Sequence, residues 1–315
     1  MIYSSTSALS VSSSVTLALL YGISALPAVL GNGAFLWVIY KCRSLRTISN
    51  LLITSLALAD FFVGLVIDPV WIARCIITPR APNHPLEIAI GSLWIQTSVT
   101  TTFSLCVVSL DRYIAIGFPL KYNQIVTYER CRLAVPLIWI LSVILGLTRL
   151  WITNANFMPV LWASVTVITI LLPMVLIIFC YYCIFVQARR QARKISTQTA
   201  HFRSQCAVEG VRNRKTAKTV GYVVVIFIIS WFPSLVASFL DLTSSHYCIR
   251  QNMELIWLWV ELIAFTSSGI NPWLYSMKSN VFRSEMKRAF GMNNAKARRI
   301  IVACANVRKK ELRIE

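Results

Sequence analysis

Residues 48–75 read ISNLLITSLALADFFVGLVIDPVWIARC, an apolar run that carries two acids, Asp60 and Asp68, and no base before Arg74. About 20 apolar residues rising roughly 1.5 Å each cross a hydrocarbon core about 30 Å thick, so this run spans a bilayer with tilt to spare. Stretches of the same kind recur at 16–40, 88–113, 133–152, 158–186, 216–240 and 255–277. The expected fold is therefore an all-α membrane protein, a seven-transmembrane helix bundle.

The bases between these stretches fall on alternate sides. Of the 31 Lys and Arg, 27 share the side of the C-terminus, and only Arg74, Arg80, Arg149 and Arg250 lie opposite. Positive charge resists translocation, so the N-terminus is expected outside and the C-terminus in the cytosol, at the plasma membrane. The net charge of +19 belongs to loops facing anionic membrane lipid and a cytosolic partner; with 57% hydrophobic residues it does not indicate nucleic acid. Met1 to Ser14 has no base, so no cleavable signal peptide is expected. The organisation expected is a short Ser-rich outer tail (1–15), the membrane domain (16–277), an amphipathic juxtamembrane helix (278–291) and a basic cytosolic tail (292–315). Phe282, Met286 and Ala289 give that short helix its apolar face, opposite Arg283, Lys287 and Arg288. The basic segment 187–218 reads as span extensions joined by a loop.

Cysteines follow no zinc spacing. Cys75 and Cys248 alone fall on the outer side; they are either free or bridge the second span to the last outer loop.

Asp60 lies mid-span, where a bare carboxylate must protonate or find a partner. Asn32, Thr101, Ser267, Ser268 and Asn271 stand at similar depth in other spans. Either they hydrogen-bond the acid and pin helices together, or they form a hydrated cavity for a sodium ion, a hard cation that takes oxygen ligands. Asp111-Arg112-Tyr113 ends the third span at the cytosol, and a guanidinium held by its neighbouring carboxylate can be released to another protein's carbonyls. Pro173, Pro233 and Pro272 interrupt the last three spans, each removing an internal hydrogen bond. Phe227 and Trp231 sit just below the Pro233 kink.

Taken in order, these positions resemble the rhodopsin-like G-protein-coupled receptors across all seven spans. The matches are Gly31-Asn32, the Leu-Ala-Leu-Ala-Asp run ending at Asp60, Asp111-Arg112-Tyr113, Trp139, Pro173 and Tyr181, Phe227, Trp231 and Pro233, and Asn271-Pro272 through Tyr275. The resemblance implies a sodium-linked core at Asp60 and an aromatic toggle at Trp231. It also implies that Tyr181 and Tyr275 swing in around Arg112 as the sixth span opens a cleft for a Gα subunit.

The chain departs from the family at several places. The usual disulfide is missing both partners: Glu87 stands at the first cysteine's place and 153–157 has none. A short second outer loop is shared with melanocortin receptors, which lack Pro173 and carry Asp at the place of Asn271. Amine receptors anchor an ammonium on an aspartate in span three, where this chain has Trp94, although Lys215 to Pro233 looks amine-receptor-like. Asp68 or Glu261 either replaces that anchor beside Trp94 and Trp257 or pairs with Arg74 as a structural bridge. Helical spacing selects Trp94, Ser98 and Thr101, Thr166 and Thr169, Trp231, Ser234 and Ser238, and Trp257, Glu261 and Phe265 as the pocket candidates. Many family members hold the span-three arginine with an acid on span six; Arg212-Asn213-Arg214-Lys215 offers none, so raised basal signalling is expected.

An opsin needs a lysine in span seven, and none lies between Leu255 and Ser276. The three histidines fall in loops, which disfavours an enzyme. A seven-helix transporter or channel is the competing reading, but no inverted repeat accompanies the single deep acid. The function expected is a receptor for an extracellular small molecule, amine-like, or a short peptide or lipid, acting on heterotrimeric G proteins.

Overall fold

The computed structural model describes residues 10–77, 84–152, 154, 156–197, 205–243, 247–278 and 280–289. Within these, nothing is said of the side chains of Ser44 and residues 191–197, 205–219, 247–251, 275–278, 280, 281, 288 and 289. The described residues are almost wholly helical and contain no strand.

Helix α1 is Val11–Lys41, and α2 consists of Ile48–Phe62 and Asp68–Ile76 joined by the π turn Val63–Ile67. Next come α3 (Pro85–Gly117) and α4 (Tyr128–Trp151). In α5, Met158–Thr166 and Leu172–Thr197 flank a second π turn, Val167–Leu171; α6 is Gln205–Thr243, α7 is Tyr247–Lys278 and α8 is Asn280–Ala289. Seven of these helices are long and apolar enough to cross a membrane.

The starts are set by local chemistry. Ser10 accepts a hydrogen bond from the Ser13 amide, so α1 begins at Val11, inside the stretch expected to be tail. Thr47 and Thr127 cap α2 and α4 in the same way, and Pro85 opens α3 at a position whose amide has no helical partner. Helices α5 and α6 run past the expected span ends, to Thr197 and from Gln205; their junction lies outside the described residues. The second π turn directly precedes Pro173, where the imino nitrogen cannot donate, so the ladder widens before the proline.

The hub is α3, which packs against α2, α4, α5 and α6, while α1 packs on α2 and α7. Helix α8 lies on α1 and α7, with Phe282 stacked on Phe35 at 5.1 Å between ring centroids and Arg283 and Lys287 exposed. Apolar side chains such as Leu26, Leu30, Leu137, Ile144 and Phe179 face outward, whereas Asn32, Asp60, Ser104 and Asn271 are buried. Within hydrocarbon no helix gains by hiding apolar surface from water, so close packing and internal hydrogen bonds hold the bundle.

Two glycines mark the closest approaches. A Cβ on Gly64 would lie 2.8 Å from the Ala25 carbonyl oxygen and from the Ala28 Cβ, and one on Gly146 would lie 2.9 Å from the Ser92 carbonyl oxygen. Gly64→Val is expected to lower the thermal midpoint of the detergent-solubilised protein, at a cost of roughly 1–3 kcal/mol for overpacking. Gly22→Ala, whose added Cβ meets its nearest atom at 4.0 Å, should leave it unchanged.

Candidate functional site

At the basic end of the bundle, α3 carries Asp111 and Arg112 almost fully inside the protein. Arg112 Nε donates to Asp111 Oδ2 at 2.9 Å, and Nη2 contacts the same carboxylate oxygen and the Ser49 hydroxyl of α2. The short helical turn Tyr122–Ile125 brings the Tyr122 hydroxyl to Asp111 Oδ1, to which it donates at 2.8 Å. Burial, then the Asp111 charge, pushes the Tyr122 phenol up to about 12, so it remains a neutral donor. Tyr181 of α5 lies within electrostatic reach of Arg112, yet its buried hydroxyl has no hydrogen-bond partner among the described residues. Gly221 of α6 leaves room for its ring. Tyr113 turns away and packs edge-on against Phe118 at 5.9 Å. The side chains of Tyr275 and of Arg212 to Lys215 lie outside the described residues.

Ser49 and Tyr122 are absent from the sequence-derived set. Nothing in a linear pattern marks a serine in the first turn of α2 or a tyrosine beyond the end of α3. Only the pairing of α2 with α3 brings Ser49 to Arg112, and the turn after Pro119 brings Tyr122 to Asp111.

Deeper in the bundle, Asn271 Nδ2 donates to Asp60 Oδ2 at 2.7 Å, joining α7 to α2. Asn32 Nδ2 donates to the Ala28 and Ser268 carbonyls at 2.9 and 3.0 Å, joining α1 to α7. Pro272 packs where Gly31 has no side chain. The buried oxygens Asp60 Oδ1, Asn32 Oδ1 and Thr101 Oγ1 have no hydrogen-bond partner. Ser267 bonds instead to Ala264 O of its own helix, at 2.6 Å. Phe227 and Trp231 are buried with rings 5.7 Å apart, below Pro233, and Trp231 Nε1 has no acceptor. Trp139 donates to Ser55 at 3.2 Å, and Ser55 meets Ser104 at 3.2 Å, tying α4, α2 and α3.

At the opposite end, Trp94 makes edge contacts with Trp162 at 5.7 Å and Trp257 at 6.3 Å. Ser98 bonds back to the Trp94 carbonyl, Thr166 and Ser238 share a 3.0 Å bond between α5 and α6, and Ser234 and Thr169 are buried. The two acids weighed as anchors differ. Glu261 Oε2 accepts from Trp71 Nε1 at 2.6 Å and pairs with Arg74 at 3.4 Å, which is the bridging role. Neither oxygen of Asp68 has a partner among the described residues. Cys75 is a buried free thiol, so the bridge to Cys248 is not formed; the Cys248 side chain lies outside the described residues.

A buried Asp111–Arg112 pair at one end, polar groups at mid-depth and a cluster of three tryptophans at the other end are thus set within a bundle of helices apolar enough to cross a membrane. Residues 31–275 match the family described as 7 transmembrane receptor (rhodopsin family), and the chain belongs to that family, one of receptors rather than enzymes. Within it, the chain is 29% identical over 306 residues to Trace amine-associated receptor 6 of Pan troglodytes, covering 87% of this chain and 85% of that protein. It is 29% identical to Trace amine-associated receptor 9 of Mus musculus, covering 86% and 84% of the two chains. Trace amine-associated receptor 7a of Mus musculus is 30% identical, covering 85% and 80%.

Removing one side of a buried ion pair strands the other. Glu261→Ala is therefore expected to lower the thermal midpoint strongly, at about 3 kcal/mol, and more than Trp71→Phe, which removes one hydrogen bond. Equal shifts for the two variants would show that the Arg74 pair adds little.

Proposed function

We propose that this chain is a plasma-membrane receptor, N-terminus outside, that binds a small extracellular amine and activates heterotrimeric G proteins by conformational coupling. The observation that carries the reading is Arg112, a buried cation at the basic end of α3. Among the described residues it is held by groups of α2 and α3, and the Tyr181 hydroxyl of α5, within electrostatic reach, has no partner. Such a cation has two alternative sets of partners, and displacement of α6 that brings Tyr181 in would free it from Ser49. The one-sided distribution of Lys and Arg supports the orientation, because it places Arg112 at the cytosolic face. The amine reading rests on the names of the relatives, which are trace amine-associated receptors.

A ligand among Trp94, Trp257 and the side chains of α5 and α6 would act on Trp231 and Phe227. Rotation of these rings about the Pro233 kink would move the cytosolic half of α6. The three unpartnered oxygens of Asp60, Asn32 and Thr101 suit a sodium ion, which takes oxygen donors and would stabilise the resting arrangement.

GTP exchange on a panel of Gα subunits, at matched surface expression and without added ligand, tests the coupling. Arg112→Ala should abolish it and Ser49→Ala should raise it roughly fivefold, the worth of a hydrogen bond of about 1 kcal/mol. Asn213→Glu, which puts an acid into the basic run Arg212 to Lys215, should lower it. Exchange that survives in Arg112→Ala would reject the mechanism. Replacing an organic cation by sodium should raise the thermal midpoint of the wild type but not of Asp60→Asn; an identical rise in both would remove the ion from that site.

A further inference from the structure

Four acids are buried among the described residues: Asp60, Asp68, Asp111 and Glu261. Three of them hold donors. Asp60 has Asn271, Asp111 has Arg112 and Tyr122, and Glu261 has Trp71 and Arg74. Asp68, at 0% exposure, has no donor on either oxygen. A carboxylate at membrane depth with no partner either takes a proton or takes a cation, because its desolvation is otherwise uncompensated. The nearest base along the helix, Arg74, is engaged by Glu261, and Arg149 donates to the Ile152 carbonyl at the end of α4.

The surroundings of Asp68 come from three helices. The Tyr21 hydroxyl of α1 donates to the Leu258 carbonyl of α7 at 2.7 Å and feels the charges of both Asp68 and Glu261. Asp68 thus lies within electrostatic reach of Tyr21, beside the contact between α1 and α7. It follows immediately after the π turn, and one extra residue in a helix turns everything beyond it by about 100°. Trp71, one turn further, is fully buried and meets Phe265 edge-on at 5.3 Å. Trp257, one turn from Glu261 on α7, is buried with an indole N–H that has no acceptor. Glu87, near the start of α3 on this side, adds negative potential around Glu261 and around Glu254 of α7. A cation approaching from this end meets acids before aromatic faces, an order that favours its capture.

We propose that Asp68 is the ammonium-binding residue of this receptor, and that its ligand is a small aromatic primary amine seated in the wedge between α1, α2 and α7. The proposal rests on the receptor reading above and moves the charge contact off α3, where Trp94 supplies an aromatic wall. A primary ammonium provides three donors for an acceptor-only carboxylate, and the rings of Trp71, Trp257 and Trp94 supply faces for the charge and the aromatic body.

The test uses purified full-length receptor and three probes: 2-phenylethylamine, its neutral analogue 2-phenylethanol, and sodium chloride. The amine should raise the thermal midpoint of the wild type by several degrees in a saturable way, and neither the alcohol nor sodium should reproduce that rise. Asp68→Asn should weaken amine binding by roughly 30-fold or more, the usual effect of losing one side of a buried charge pair. Asp68→Glu, which keeps the charge, should retain a measurable part of it. If Asp68→Asn does not fold, the contrast between amine and alcohol in the wild type and in Asp68→Glu decides. An equal shift from the alcohol, a sodium-driven shift of the same size, unchanged affinity in Asp68→Asn, or no amine shift in the wild type would each overturn the proposal. Loss of exchange in Arg112→Ala is read without ligand, so a receptor that couples but ignores the amine would sink the anchor and leave the coupling intact.

Discussion

No water reaches the peptide groups inside a hydrocarbon core, and that single fact governs the rest of this molecule. It forces the spanning segments into helices that satisfy their own backbone, and it turns every buried polar side chain into a group that must find a partner within the bundle. Helix α3 answers it at the centre, sharing hydroxyl contacts with α2 through Ser104 and Ser55 and sheltering Arg112 at its end. The same rule makes Asn32 and Asn271 into cross-links, since an amide in lipid gains most by bonding a neighbouring helix.

Groups left without partners are then the most informative ones. Tyr181 Oη, Trp231 Nε1, Thr101 Oγ1 and Asp60 Oδ1 are all buried and unbonded. They coincide with the positions where the family resemblance implies motion or an ion. A fully satisfied network would hold one arrangement rigidly; unsatisfied atoms at the hinge leave a second arrangement within reach, which is what a two-state element needs. The ties that do close, such as Tyr21 to Leu258 and Trp139 to Ser55, sit away from α6 and join α1 to α7 and α4 to α2.

The seven spans were legible because their signal is additive: apolar length and basic flanks survive errors of a few residues. The start of α1 was not, because one serine cap at Ser10 outweighs the polar character of Ser12, Ser13 and Ser14. The polar core was legible as a set but not as a wiring diagram. Depth along separate spans nominates Asn32, Asp60 and Asn271, whereas Ser267 at the same depth turns back to its own helix. Ser49 and Tyr122 escaped altogether, since each reaches Arg112 or its carboxylate across a tertiary gap. The choice between Asp68 and Glu261 stayed open in the sequence for a related reason. The facing of Asp68 and Arg74 depends on the π turn Val63–Ile67, whose one sequence mark is Pro69, two residues beyond it as Pro173 is beyond the second π turn.

That turn ties the facing of α2's far half to residue count rather than residue identity. Apart from Gly64, which has no room for a Cβ, the positions from Val63 to Ile67 can exchange one apolar side chain for another while the far half of the helix keeps its orientation. Loss of a single codon there would restore an ordinary helix and swing Asp68, Trp71 and Arg74 together by about 100°, carrying three side chains away from α7 in one step. An insertion or deletion within the bulge would thus rearrange this buried cluster more than any single substitution within it.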